Sequence, residues 1–279
     1  MKRLTLLLSL AVLLLAIPIP VQGTNPGWIV SCNYSHSSND DPIVFPGKAG
    51  AAHLHDFVGA TTANAASTAA SLRGGGTKCM VAGDRSSYWN PAMFKNGTRV
   101  LPAAMAKNAL IYYRRIGAPT GVTVQSIPEG LKMVIGNAHA HMAADNPGLG
   151  STIIFKCGPG SGVDLAAPPS QCSSGVLVVS YRFPNCWDGK NLDSANHISH
   201  MAYPSGSKCP SSHPVAIPRV ETFVRYAVGT APIGTITFDS GPYYTAHQDF
   251  FNGWITSDLQ KLVTRCINAG VDCGTNPTP

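Results

Sequence analysis

Gly175-Val-Leu-Val-Val-Ser-Tyr-Arg182 is a strand-length run of β-branched and aromatic residues, closed off on both sides by Gly, Pro, Asn and Ser. The same composition recurs along the chain at Ala109–Arg114, Gly121–Gln125, Leu131–Ile135, Thr152–Lys156, Glu221–Tyr226 and Gly234–Phe238. Several of these runs alternate apolar and polar at period two, as strands with one buried face do. The 28 Gly and 22 Pro that punctuate them suit a sandwich with long loops and not a helical bundle. The chain is therefore read as mainly β, a single jelly-roll-like β-sandwich domain over residues 24–279. One helix is expected at the C-terminal end. Leu259, Leu262, Val263, Cys266 and Ile267 make one apolar stripe. Ser257 with Gln260 has capping-box spacing, and Gly270 is a suitable stop, which predicts a helix over Asp258–Ala269. The Ala- and Thr-rich stretch from Ala60 to Ser71 reads equally as loop or weak helix.

Lys2 and Arg3 precede an apolar stretch from Leu4 to Ile19 and then Val21-Gln22-Gly23, the order of a secretory signal peptide. Residues 1–23 are read as a leader cleaved near Gly23. No later run is long and apolar enough to span a bilayer, and Gly274–Pro279 is too polar for a lipid-anchor signal. A secreted, extracellular monomer without a membrane anchor is expected. Of the 20 basic and 14 acidic residues only Lys2 and Arg3 lie in the leader, which leaves +4. The cations are scattered apart from Arg114-Arg115, so no nucleic-acid stripe is visible. The eight cysteines, an even number behind an export signal, read as a disulfide set. They allow 105 pairings. Neighbour pairing is expected: Cys32–Cys79, Cys157–Cys172, Cys186–Cys209 and Cys266–Cys273.

The histidines carry the most specific chemical signal. His53-Leu-His55 places two imidazoles on one face of a strand, and His247-Gln-Asp249 places an imidazole and a carboxylate the same way. His197 and His200 share a face if their segment is a helical turn. His53, His55, His197, His200, His247 and Asp249 form the candidate ligand set for a divalent metal, zinc or copper, because neutral imidazole is a good ligand at ordinary pH. His139-Ala-His141 repeats the spacing. Asp188 and Asp193 flank a Gly/Asn-rich loop beside Trp187 and are candidate general acid and base. For each alone, an Asx turn is the plainer reading. Tyr88, Trp89, Trp187 and Trp254 are candidate platforms for a sugar face.

Several segments resemble a secreted fungal and bacterial family known only as a domain of unknown function, DUF1996. They are Asp41-Pro-Ile-Val-Phe-Pro-Gly47 running into His53-Leu-His-Asp-Phe-Val-Gly59, Ser87-Tyr-Trp-Asn-Pro91, and Phe183-Pro-Asn-Cys-Trp-Asp-Gly189 continuing through His197 to His200-Met-Ala-Tyr-Pro204. Cys209–Pro218 and His247-Gln-Asp-Phe-Phe-Asn-Gly-Trp254 complete the set. The resemblance implies export and association with cell-wall or biomass-degrading secretomes, and it brings no catalytic residues. His139 and His141 lie outside these segments and are left out of the expected site.

The leading expectation is a secreted hydrolase acting on extracellular or cell-wall polysaccharide through a His/Asp-lined, metal-binding cleft. The alternatives are a non-catalytic wall-binding protein with a structural metal or histidine cluster, and a copper-dependent oxidase. An N-terminal histidine brace is disfavoured, since cleavage after Gly23 leaves Thr24 first. There is no Gly-x-Ser-x-Gly elbow and no His-Glu-x-x-His motif.

Overall fold

A computed structural model describes residues 26–102, 108–158 and 162–279. The expected leader, residues 1–23, lies outside them. Eleven of the strands build two sheets: β1 (Gly27–Cys32), β2 (Tyr34–Ser38), β3 (His55–Gly59), β4 (Ser87–Pro91), β5 (Ala109–Arg114), β6 (Lys132–Gly136), β7 (Ile153–Cys157), β8 (Val176–Arg182), β9 (Arg219–Ala227), β10 (His247–Phe251) and β11 (Asp272–Thr275). The first sheet has the order β11-β1-β5-β9-β8-β7 and the second β2-β3-β4-β10-β6. Among the strand pairs described in these two sheets, β1 with β11 is the parallel one.

Period two decides which side chains meet between the sheets. On β5, Ala109, Ile111 and Tyr113 are buried while Leu110, Tyr112 and Arg114 are only half-buried. On β6, Met133 and Ile135 are buried and Lys132 and Val134 are not. These inward residues join Val179 and Tyr181 of β8, Val224 and Tyr226 of β9, and Val58, Tyr88 and Phe250 of the second sheet in one core. Burial of each such side chain stabilises the fold by about 1.5–3 kcal/mol. One buried acid gathers several of the polar groups in this core. The hydroxyls of Tyr88 and Tyr113 donate to Asp84 Oδ2 at 2.9 and 3.1 Å, and Trp254 Nε1 donates to the Tyr113 hydroxyl at 2.7 Å. Tyr88 and Trp254 are therefore core members and not the expected sugar platforms, because no ligand reaches them.

A smaller apolar cluster sits on the outward face of the second sheet, where Ile43 from a covering loop and Leu72 from the short helix at Ala69–Gly74 close over Phe57, Trp89 and Phe251. Trp89 is fully buried there and stacks on Phe57 at 5.5 Å, so it too is unavailable to a sugar. Trp187 is half-buried in a short ribbon of Cys186–Trp187, Met201–Ala202 and Val215–Ala216, and its Nε1 donates to the Asn191 carbonyl.

The expected strand at Gly121–Gln125 is loop. The amide side chain of Asn268 bonds both the N–H and the C=O of Val124, taking the place of a neighbouring strand. Helix α1 (Ala69–Gly74) resolves the ambiguous stretch and is capped by Thr68 with Ser71. The C-terminal helix α2 (Thr256–Leu262) starts two residues earlier than expected, with Ile255 and not Ser257 at the cap, and continues as a π-helical turn over Val263–Asn268. Its five stripe residues are all buried. The cysteines pair as neighbours: Cys32–Cys79, Cys157–Cys172, Cys186–Cys209 and Cys266–Cys273. Among the described residues, no helix is long and apolar enough to cross a membrane.

Candidate metal centre

The outward face of the second sheet gathers residues nearly 200 positions apart. His55 pairs with Pro91 on β4, and Asp249 on β10 pairs with Trp89 on the same strand. His55 and His247 thus flank β4 at one level and lean over Pro91 towards each other. His53 precedes β3, and the Leu54 N–H beside it is held by Asp239 Oδ2 at 2.6 Å. The three Nε2 atoms converge: His53 to His247 is 3.0 Å and His55 to His247 is 3.4 Å.

The other ring nitrogens explain what those Nε2 atoms are. His55 Nδ1 bonds the Asp40 carbonyl at 3.1 Å and His247 Nδ1 bonds the Thr245 carbonyl at 2.8 Å. A carbonyl only accepts, so both Nδ1 atoms carry the hydrogen and both Nε2 atoms are bare lone pairs. Burial holds all three imidazoles below their ordinary range, His247 down to about 3, so they are neutral at physiological pH. A hydrogen on His53 Nε2 can satisfy His247, which still leaves His55 facing a second lone pair.

Two carboxylates lie against the same imidazole. Asp41, His55 and Asp249 each place a ligand atom within 4.8 Å of the others, as His53, His55 and His247 do. Asp41 Oδ1 accepts the N–H groups of Ile43 and Val44 at 2.8 and 2.9 Å, which fixes the turn that Ile43 anchors in the apolar cluster. Asp249 is 1% exposed, and neither of its oxygens has a hydrogen-bond partner. Burial, reinforced by Asp41, drives its carboxyl well above the ordinary range. Asp41, His53, His139, His197, His247 and Asp249 line a cleft of about 400 Å³ over this face.

The far wall is the segment after the Cys186–Trp187 ribbon, hung on edge strand β6. Lys132 N–H bonds the Leu192 carbonyl, and His200 Nε2 donates to the Lys132 carbonyl at 2.7 Å. With Nδ1 on Ser194 Oγ as well, His200 is a fully bonded strut and not a ligand. His197 is the member of that pair that reaches the cleft. Its backbone is left-handed, φ +59°, a conformation costing roughly 1–2 kcal/mol outside glycine. Its Nδ1 bonds Asp193 Oδ1 at 2.9 Å, which leaves Nε2 as the working nitrogen. Asp188 does not join them. Its oxygens accept the N–H groups of Lys190 and Asn191 and the Asn191 amide, the Asx turn that is the plainer reading of such a loop.

Of the expected residues, His53, His55 and His247 meet, Asp249 stands against His55 together with Asp41, and His197 with Asp193 faces them. Asp41 and His139 are additional. The third His-x-His repeat was the available signal for His139, whereas nothing in the spacing around Asp41 marks it. A family model described as Domain of unknown function (DUF1996) matches residues 41–254, a span that takes in every one of these residues and His139 too. No curated protein and no solved structure matches the chain.

Proposed function

This chain belongs to the DUF1996 family, and we propose that it is an extracellular metal-dependent hydrolase whose cleft opens over a divalent metal held by His53, His55 and His247. The observation that carries this reading is the pair of unprotonated Nε2 atoms at 3.4 Å beside the unpartnered Asp249 carboxylate. Three imidazoles suit zinc, with a water completing the set and the Asp249 and Asp41 carboxyls set against His55 beside it. A metal held there by His53, His55 and His247 would lower the pKa of bound water towards ~7 and so supply the nucleophile. His197, oriented by Asp193, is the general base or acid facing it. Four disulfides support an oxidising, extracellular setting. The cleft is of the size that takes a small molecule or a short stretch of polymer, and cell-wall polysaccharide is the substrate class proposed. The wall-binding alternative loses support, since three of its four aromatic platforms are core residues.

Release of new reducing ends from wall polysaccharides tests this. Hydrolysis is expected to stop on metal removal and return with zinc. His197→Gln is expected to keep its metal while the rate falls by about 10²–10⁴. Absence of hydrolysis across neutral and acidic polymers overturns the hydrolase reading. Oxidised sugar ends formed with copper and a reductant put the oxidase reading in its place.

A further inference from the structure

The outward face of the first sheet lies on the opposite side of the sandwich from the metal centre. Outward positions on neighbouring strands carry Tyr112 and Arg114 on β5, Arg219, Glu221, Phe223 and Arg225 on β9, Arg182 on β8 and Lys156 on β7. Most of them line a groove of about 340 Å³, and Tyr112 and Arg114 continue into an adjoining hollow of about 130 Å³ beside β1. The groove therefore crosses the strands.

Charge is concentrated here. Five cations, Arg114, Lys156, Arg182, Arg219 and Arg225, face two carboxylates, Glu221 and Asp164, for a net +3, which Asp272 in the adjoining hollow lowers to +2. Beyond residue 23 the whole chain carries only +4. Glu221, 3% exposed, underlies three guanidinium groups, at 2.6 Å from Arg182, 3.8 Å from Arg219 and 4.0 Å from Arg114. One buried carboxylate shared among three cations fixes their positions and leaves charge over. Aromatic rings hold Arg114 a second time and add Lys156: the Arg114 guanidinium lies 4.2 Å over Tyr112, and Lys156 lies 5.9 Å from the Phe223 centroid. The two rings pack edge to face at 4.9 Å.

We infer that this groove binds an acidic polysaccharide through its uronate carboxylates, as an anchoring surface separate from the cleft. Guanidinium forks match carboxylates two bonds at a time. The built-in Glu221 and Asp164 suit a polymer with sparse charges. Duplex nucleic acid carries a charge about every 1.7 Å and needs an unbroken cationic stripe. Retention of the full chain in gels containing polygalacturonate, a neutral β-glucan or no polymer, and a duplex-DNA shift, test the inference. Retention by polygalacturonate alone is expected, weakening as salt rises. The double variant Arg114→Gln/Lys156→Gln is expected to weaken it about tenfold or more, with metal content and melting temperature unchanged. Asp164→Asn, at an exposed carboxylate, is expected to strengthen it. Equal retention by the neutral polymer, preference for DNA, or retention indifferent to all three substitutions overturns the inference. None of these outcomes depends on hydrolysis, so this surface and the cleft stand or fall separately.

Discussion

His247 and Asp249 sit two residues apart on one strand face and make opposite contributions. Substituting a metal ligand removes one bond to the ion and leaves the backbone ladder of β10 untouched. His247→Ala is expected to weaken metal binding by more than the ~10–100-fold that loss of a supporting residue costs. Dialysis against competing chelators reads this directly, and an unchanged affinity removes His247 from the centre. Asp249 has no hydrogen-bond partner in its buried position. In the metal-free protein a neutral Asn is the easier group to bury, so Asp249→Asn is expected to raise the stability of the stripped protein by about 1–3 kcal/mol while lowering its metal affinity. Denaturant unfolding with and without metal separates the two effects, and destabilisation in both states marks Asp249 as purely structural. The His-x-His and His-x-Asp spacings made His53, His55, His247 and Asp249 legible, because period two on a strand puts such pairs on one side. Tyr88, Trp89 and Trp254 differ from the expected platforms for a general reason: an aromatic side chain carries no mark of what packs over it, here the opposite sheet or the covering segments.

At the scale of elements, the site depends on how closely β6 approaches β10. Gly136 faces His247 across the ladder with φ +90°, and a Cβ there falls 2.3 Å from the Ala246 carbonyl and 2.7 Å from His247 Cα. Gly136→Ala is expected to push β10 aside and cost roughly 2–4 kcal/mol, combining an unfavourable φ with a backbone clash. Metal binding is expected to fall with it. Full stability and full metal content in that variant contradict the proposed dependence of His247 on this contact. The strands were read well because their burial alternates, as on β5, where every second residue is buried. Gly121–Gln125 has the same composition but not the same neighbours. Besides local bonds to Pro119 and Arg115, its hydrogen bonds go to the Asn268 side chain and the Ala216 carbonyl, which are long-range partners that local pattern does not reveal. The i, i+3 pair His197 and His200 shares a face only in a helical turn, and the segment is instead held by contacts to β6 and by a left-handed residue.

At the scale of the molecule, the two sheets share a core in which the buried acid Asp84 is tied to Tyr88 and Tyr113. Burial pushes its carboxyl up to about 6 from an ordinary 3.8, against the hydrogen bonds that lower it. Between those values the folded state holds a proton that the unfolded state has lost, so this group favours folding at low pH and its contribution is lost as pH rises through about 6. A shift of two units corresponds to about 3 kcal/mol. Asp84→Asn is expected to flatten that part of the stability–pH profile, and an identical slope in wild type and variant rules out Asp84 as its source. On the outside of the same sandwich, the second sheet carries the cleft on which the functional reading depends. Its most direct test is X-ray absorption on chelator-stripped protein reloaded with one equivalent of zinc. The expected result is stoichiometric uptake, with about three imidazole nitrogens at ~2.0–2.1 Å that disappear in the His55→Ala/His247→Ala variant. Failure to take up zinc or copper, or uptake with the same coordination in that variant, contradicts the metal centre.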